Sequence, residues 1–484
     1  MNDCVAVIGS GVAGSITAAI LAKLGSHVIL VEKAQRPSPL VRSFRRGSSL
    51  CDVGFHYTGG LGDGGFLRLM FDRLGILKRL EPVALDVSGF DRIVWPENGR
   101  ELRVPSDNAA FEERLCEAFP SSEPGVRKYG RAVHSIASSH PFLNPTIPPW
   151  EMALTPDSAL SLDDVLVDLG VEPALIDFLG SYGEVLYGLN AREVSFQLHC
   201  LVLGSYMASV HTLRGGGLAL AEAFSQCLSE LGVAFLGGRA ASRITLDAKG
   251  HVMGVVLSDG ETIAARTVVV TSHPGSLLGL LGPQAMSASY RARLEAIENT
   301  GAMFLSFVRV PPGTLRDLQN CYLFCPPCST HLGRTRVLAV MAGAPCLQGD
   351  TPCRTVMHGV SDEDISWLRS APPEPDYVSW KKQISGLAVD CVTTGLQIRR
   401  DALEVIDTAT PRTLETWTGS PGGAAYGAKR KLGQRALRPR TPIGGIFLAG
   451  QGLLAPGILG AAASAVVACS HVAGADAVWR ALFR

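Results

Sequence analysis

Two groups of residues in this sequence have types and spacing that could do chemistry. The first is Gly9-Ser10-Gly11-Val12-Ala13-Gly14, with Glu32 and Lys33 downstream. Between a strand and a helix, such a run cradles a pyrophosphate: Gly9 makes the tight turn, Gly11 lets the backbone approach the phosphates, and Gly14 lets helix pack closely on strand. Glu32, about twenty residues on, stands where an acid accepts hydrogen bonds from a ribose diol. These residues predict a dinucleotide site without separating NAD from FAD. The second group is Cys321, Cys325 and Cys328, with Cys346 and Cys353 beyond. Zinc would require four such thiolates in tetrahedral array. The CxxxCxxC spacing is not a paired CxxC knuckle, and Pro326-Pro327 interrupts it, so the reading is no metal, with thiols serving as small apolar residues.

The elements that must position the glycine run are legible around it. Residues 5–8 are a short apolar, β-branched strand of the kind buried on both faces. Ile16, Ala19, Ile20, Lys23 and Leu24 then recur at helical spacing with Gly25 as a stop, and residues 27–31 form a second strand ending at Glu32. The unit is β-α-β. Further on, residues 217–231 predict a helix, and residues 234–236, 242–246, 252–257 and 262–271 predict strands separated by glycine turns, a β-meander returning to the parallel sheet. Near the end of the sequence, residues 446–449 predict a strand, and Pro456-Gly457 opens an alanine-rich helix whose first N–H groups are left free.

Composition narrows the function. The chain has 484 residues, 46% hydrophobic and 18% charged, enough apolar material for a large core. Lys plus Arg (44) cancels Asp plus Glu (44), and no basic block stands apart, which argues against nucleic acid as a partner. Twelve scattered cysteines without a signal peptide predict a cytoplasmic protein with reduced thiols. Residues 442–475 carry no Asp, Glu, Lys or Arg, but their glycines and Pro456 divide the run into pieces too short to span a bilayer.

The sequence as a whole resembles the phytoene desaturase, carotenoid isomerase and retinol saturase group of FAD-dependent oxidoreductases. The residues that carry the resemblance are 5–33, Cys51-Asp52-Val53-Gly54-Phe55-His56-Tyr57, Arg214-Gly215-Gly216-Gly217-Leu218-Ala219 and the C-terminal Gly444-Gly445-Ile446-Phe447-Leu448-Ala449-Gly450-Gln451. It implies a Rossmann-type, glutathione reductase-like α/β fold with a β-meander and an inserted α+β substrate domain. The FAD-binding part would comprise residues 1–90, 211–300 and 431–484, and the substrate part residues 91–210 and 301–430. It further implies that Gly54 lies near the flavin, that Ala241 and Ser272 meet the cofactor with His273 beside them, and that Gly450, Gln451, Gly457 and Ile458 face the ring. A helix N-terminus there would stabilise the flavin edge that gains negative charge on reduction.

One segment departs from the family: Ser38-Pro39-Leu40 stands where Gly-Gly and a basic residue are usual, so the loop must run differently. Among Arg36, Arg42, Arg45 and Arg46 nearby, Arg42 is the candidate for a positive charge on the pyrophosphate or flavin carbonyl. His56, Tyr57 and Tyr426 are the candidates for handling a proton, Tyr426 through a Tyr-Gly pair resembling that of retinol saturase-like proteins. His56 leads by its titration range; His211 and His273 rank below.

The implied reaction is hydride transfer at flavin N5, in desaturation, saturation or isomerisation of a hydrophobic conjugated molecule. Its electron partner and oligomeric state are not specified, and peripheral membrane contact is compatible with it. The aromatic stretches 178–182 and 185–189 suit either a hydrophobic tunnel or ordinary core. Two other readings share the N-terminal motif: a flavin monooxygenase or halogenase, and a non-redox lipid-binding protein of the GDP-dissociation-inhibitor type.

Overall fold

The computed structural model describes residues 4–38, 40–148, 160–311, 313–315, 319–325, 337–345, 351–434 and 437–484. The apolar strand Cys4–Ile8 occupies the centre of a sheet whose described strands all run parallel. Their order is Ile446–Leu448, Thr267–Val270, Cys4–Ile8, His27–Glu32 and Ala234–Gly237. Both faces are covered, as a parallel sheet requires. The helix Val12–Lys23 lies against one face and is buried from Val12 to Leu21. The helix Gly457–Ala473 packs beside it, and Ala461, Ala465 and Ala468 share a core with Ile16, Ala18 and Ile20. Small side chains let the two helices come close; the Cys469 thiol reaches the Thr17 carbonyl oxygen at 3.7 Å.

The meander differs from expectation in two ways. Ala234–Gly237 is the edge strand of the parallel sheet, and the antiparallel layer consists of Ala241–Leu246, Val252–Leu257 and Thr262–Ala264. The stretch 262–271 breaks into two strands. Its first half pairs antiparallel with Val252–Leu257 and its second, Thr267–Val270, pairs parallel with Cys4–Ile8, so the chain turns at Ala265 and Arg266 to change layers.

A second, mixed sheet draws on distant parts of the chain. Asp91–Trp95 and Arg100–Val104 join Asn320–Phe324, Val337–Met341, Thr351–Gly359, Met303–Arg309 and Glu404–Ala409. Alternation along Asn320–Phe324 shows why it is buried on both sides. Cys321 and Leu323 meet Ala388, Val389 and Val392 of the helix Glu374–Leu396, whereas Tyr322 and Phe324 meet a cluster containing Phe178, Tyr182 and Leu186. The short strand Ser49–Cys51 pairs parallel with Thr351–Gly359, so residues before 90 reach the second sheet as well.

Among the described residues no group of three or more His, Cys, Asp or Glu could hold a metal, and Cys328 and Cys346 lie outside those residues. Among the same residues no helix is long and apolar enough to cross a membrane.

Gly14 is where packing tolerates least. A Cβ there would stand 1.9 Å from the Gly9 carbonyl oxygen, so Gly14→Ala is expected to destabilise the fold by about 2–3 kcal/mol. Gly386, inside the helix Glu374–Leu396, has nothing within 4 Å of such a Cβ, and Gly386→Ala should stabilise by up to about 1 kcal/mol through helix propensity. Urea unfolding of the two variants beside the wild type measures both.

Candidate functional site

All five parallel strands end on one edge, and a cavity of about 2200 Å³ opens there. Gly9, Gly11, Val12 and Ala13 form one wall. Gly9 adopts φ +98°, which favours glycine, and the space a Cβ on Gly11 would occupy is open. Glu32 closes the end of this wall, only 5% exposed. Its carboxylate accepts from the Ser10 N–H at 2.7 Å, the Ser10 hydroxyl at 2.8 Å and the Ala34 N–H at 2.9 Å, which fixes it at the cavity edge. Lys33 also lines the cavity, its Nζ donating to the Thr416 carbonyl at 3.0 Å. Gly14 is not on the wall; it sits beneath the turn, against Gly9 and Thr271.

The atypical loop turns at Ser38, which is fully buried with φ +59° and donates its N–H to the Ser10 carbonyl at 2.9 Å. Pro39 lies outside the described residues. Arg42 does not reach the cavity: its Nε donates to the Pro37 carbonyl at 3.3 Å, and burial lowers its pKa. Asp52 is likewise set back. Its carboxylate takes the Ser43 hydroxyl, the Gly217 N–H at 3.2 Å and the Ala344 N–H at 3.3 Å, so it caps the helix Gly216–Glu230 while burial raises its pKa. Gly54 and His56, by contrast, stand on the cavity wall. Neither ring nitrogen of His56 has a hydrogen-bond partner among the described residues, and burial lowers its pKa to about 4, so the imidazole is neutral near pH 7.

The opposite wall comes from later parts of the chain. Ala241 and Ser272 line it, with the Ser272 hydroxyl 2.8 Å from that of Ser276. His273 lies beside them, with Nε2 2.8 Å from Asn299 Oδ1. Gly450 and Gln451 follow the last parallel strand, and Gly450 donates its N–H to Ser464 Oγ at 2.9 Å. Gly457 and Ile458 begin the helix Gly457–Ala473 at the cavity wall after Pro456, and the Gly457 N–H donates to Gln451 Oε1 at 3.4 Å.

A second chamber of about 570 Å³ shares Gly54, His56, Val185, Tyr426, Gly457 and Ile458 with the first. Its remaining wall is mainly apolar, including Phe55, Phe142, Leu186, Leu198 and Met341. The stretches 178–182 and 185–189 therefore serve both expected uses: Phe178 and Tyr182 are core, whereas Val185 and Leu186 face the chamber. Tyr426 is anchored by its hydroxyl, which donates to the Val185 carbonyl at 2.8 Å, and burial raises its pKa to about 12. Tyr57 lines the second chamber but not the first. Its hydroxyl leads to a buried group the sequence reading missed, Asp91, whose carboxylate lies 3.1 Å from Tyr57 OH, 2.7 Å from Tyr182 OH and 2.9 Å from Asn320 Nδ2. Its neighbours come from distant segments, so no local spacing announces it. His211 does not line either cavity.

Comparison with known proteins places this geometry. The profile of a family described as flavin containing amine oxidoreductase matches residues 12–331. The chain is 25% identical over 521 residues to an all-trans-retinol 13,14-reductase of Rattus norvegicus, covering 96% of this chain and 85% of the relative. It is 24% identical over 291 residues to a prolycopene isomerase of an Oncidium hybrid cultivar, covering 57% and 49%. The crystal structure of an oxidoreductase from Methanosarcina mazei superposes with a TM-score of 0.68 at 15% identity, over 96% of this chain and 98% of the other.

The residues present fit FAD: a carboxylate at the end of the second strand, an open cradle at Gly11 and a helix N-terminus all lie on the wall of one cavity. Glu32→Gln is expected to weaken FAD binding by roughly tenfold, whereas Arg42→Ala, off the cavity wall, leaves it unchanged. Fluorescence titration of the deflavinated protein with FAD measures both.

Proposed function

The chain belongs to the flavin-containing amine oxidoreductase family and is an FAD-dependent oxidoreductase, and from that premise we propose that it saturates, desaturates or isomerises carbon–carbon bonds of a hydrophobic, conjugated small molecule of retinoid or carotenoid type. The observation that carries the substrate class is the second chamber: a mainly apolar space beside the larger cavity, joined to it by a wall of His56, Tyr426, Gly457 and Ile458. An extended hydrocarbon would be held there by burial, and only a few polar groups would set its position. The named activities of the rat and orchid relatives point to the same class.

FAD, when bound, supplies hydride donation and acceptance at its N5. The roles of the chain's own groups in this reading follow from their placement. Gly9, Gly11, Val12 and Ala13 would hold the pyrophosphate and Glu32 the ribose, with Lys33, Ala241 and Ser272 alongside. Gly54, Gly450, Gln451, Gly457 and Ile458 would hold the ring, with the partial positive charge at the N-terminus of the helix Gly457–Ala473 placed for its anionic edge. His56 offers one hydrogen bond as donor and one as acceptor without carrying charge, since its ring is neutral near pH 7. Tyr426, its hydroxyl tied to Val185, serves as a fixed wall against which the substrate is oriented. The apolar lining excludes water from the reacting bond.

In the same reading residues 1–90, 211–300 and 431–484 hold FAD, and residues 91–210 and 301–430 form the substrate side. Drawing a lipophilic substrate from a membrane surface belongs to this proposal too, as does a cytoplasmic location.

Purified FAD-loaded protein, reduced by dithionite under argon and mixed with all-trans-retinol or a linear carotene, is expected to shorten or isomerise the polyene, read by chromatography and loss of its long-wavelength absorbance. Oxidation of a panel of primary amines with every polyene left untouched would sink the proposal.

A further inference from the structure

We propose that Tyr57, Tyr322 and Asp91 form a proton relay serving the apolar chamber, in which Tyr57 passes a proton to the substrate and Asp91 restores it through the tyrosine pair. The inference rests on the reading of the chamber as the place where a carbon–carbon bond reacts. Saturating such a bond takes a hydride and a proton, and the second must come from a group on the chamber wall.

Asp91 opens the strand Asp91–Trp95 and is fully buried. Its Oδ2 accepts from Tyr182 OH at 2.7 Å and Tyr57 OH at 3.1 Å, and its Oδ1 from Asn320 Nδ2 at 2.9 Å. Among the described residues it has no ion pair. A buried carboxylate without a cation is costly as an anion, which pushes the group toward the acid. Burial raises its pKa to about 6 against the opposing pull of the hydrogen bonds from Tyr182, Asn320, Tyr57 and Tyr322.

The outward path is equally short. Tyr57 OH stands 2.8 Å from Tyr322 OH, and both tyrosines line the chamber, with the ring of Tyr206 5.3 Å from that of Tyr57. Two phenols and a carboxylic acid thus run from the chamber wall into the core. A purely structural role for Asp91 would be met by Tyr182 and Asn320 alone; the additional tyrosine pair leads to the reacting space. Among the other polar groups on that wall, His56 and His140 are neutral near pH 7, Tyr426 donates its hydroxyl to the Val185 carbonyl and Arg430 donates to the Leu454 carbonyl.

In the saturating direction the C=C π pair breaks; one carbon gains hydride from the reductant, a reduced flavin, and the other gains H⁺ from Tyr57 OH. Tyr57 recovers its proton from Asp91, directly or by way of Tyr322, leaving Asp91 as the carboxylate. Asp91, which is fully buried, recovers its proton by the reverse route, through Tyr57 and Tyr322 from water admitted to the chamber once product has left, and in desaturation every transfer reverses.

Groups facing Asp91 from the surrounding elements are Tyr57, Tyr182 from the helix Pro173–Tyr187, Tyr206 from the helix Phe196–Ala208, and Asn320, Cys321 and Tyr322 from the neighbouring strand; the Arg92 and Arg354 guanidiniums act on Cys321. Burial, with the charge of Asp91, raises Tyr57, Tyr182 and Tyr322 well above the ordinary phenol value, so the carboxyl is the group that titrates near neutrality.

The test uses full-length FAD-loaded wild type, Tyr57→Phe, Tyr322→Phe and Asp91→Asn, with all-trans-retinol as probe and dithionite as reductant. Single-turnover saturation by wild type is expected to fall as pH rises through about 6 and to slow in heavy water. Tyr57→Phe should lose roughly a hundredfold in rate, and Asp91→Asn should lose the pH dependence, while both still bind FAD and are reduced at the wild-type rate. Infrared difference spectra between pH 5 and pH 8, which require no turnover, should show a protonated-carboxyl band that disappears in Asp91→Asn. If Asp91→Asn fails to fold, the two tyrosine variants carry the test. Unchanged rates and pH profiles in the variants would overturn the relay. Should wild type convert no polyene, the reading of the reaction falls and the relay falls with it; turnover by wild type with the infrared band absent at every pH overturns the relay alone.

Discussion

A parallel sheet cannot be closed by short turns: each strand must be followed by a crossover that carries the chain back to the other end. The site depends on this constraint. Because the five strands run one way, the chain leaves every one of them at the same edge, and Gly9, Glu32, Thr271 and Ala449 arrive together although hundreds of residues separate them. Thr271 ties the edge together, its hydroxyl donating within reach of the carbonyls of Ile8 at 3.0 Å and Gly9 at 2.8 Å. The crossovers are also where the chain has room to grow. The long one between His27–Glu32 and Ala234–Gly237 and the one between Thr267–Val270 and Ile446–Leu448 contain all the described strands of the second sheet. Substrate chamber and dinucleotide cradle are neighbours because one grows out of the other's connections.

Two forms of tight packing hold that arrangement. Glycines allow backbone to meet backbone where a side chain would intrude: at Gly14 against Gly9, and at Gly217, where a Cβ would fall 1.6 Å from the Val41 carbonyl oxygen. Buried polar groups are paired with equal economy. Glu32 gathers Ser10 and Ala34, and Asp52 gathers Ser43, Gly217 and Ala344, so each carboxylate joins segments that no hydrophobic contact would orient.

What the sequence disclosed is what local periodicity and fixed spacing encode. The β-α-β start, Glu32 at its end and the strand followed by Pro456-Gly457 and an alanine-rich helix are each read within a few dozen residues, and the helix Val12–Lys23 and strand His27–Glu32 stand close to where spacing put them. The strand Ala234–Gly237 was misplaced because an edge strand of a parallel sheet and the first strand of a meander have the same short apolar pattern; only its partner distinguishes them. Arg42 drew attention by charge alone, and its direction is set by Pro37 and the turn at Ser38, which charge does not reveal. Asp91 was invisible for a stronger reason. Its meaning lies in Tyr57, Tyr182 and Asn320, which reach it from a loop, a helix and a different strand.

The seam between the helices Val12–Lys23 and Gly457–Ala473 has a consequence for how the molecule comes into being. Ile16, Ala18 and Ile20 share their core with Ala461, Ala465 and Ala468, so part of their cover comes from the late helix. On a ribosome the helix Val12–Lys23 therefore emerges long before Gly457–Ala473 exists, and that part of its apolar side waits through the synthesis of everything between them. High contact order of this kind slows folding and prolongs exposure of sticky surface. Removal of Gly457–Ala473 would strip that part of the cover from Val12–Lys23, so a nascent chain leans on chaperones until the later helix has been made.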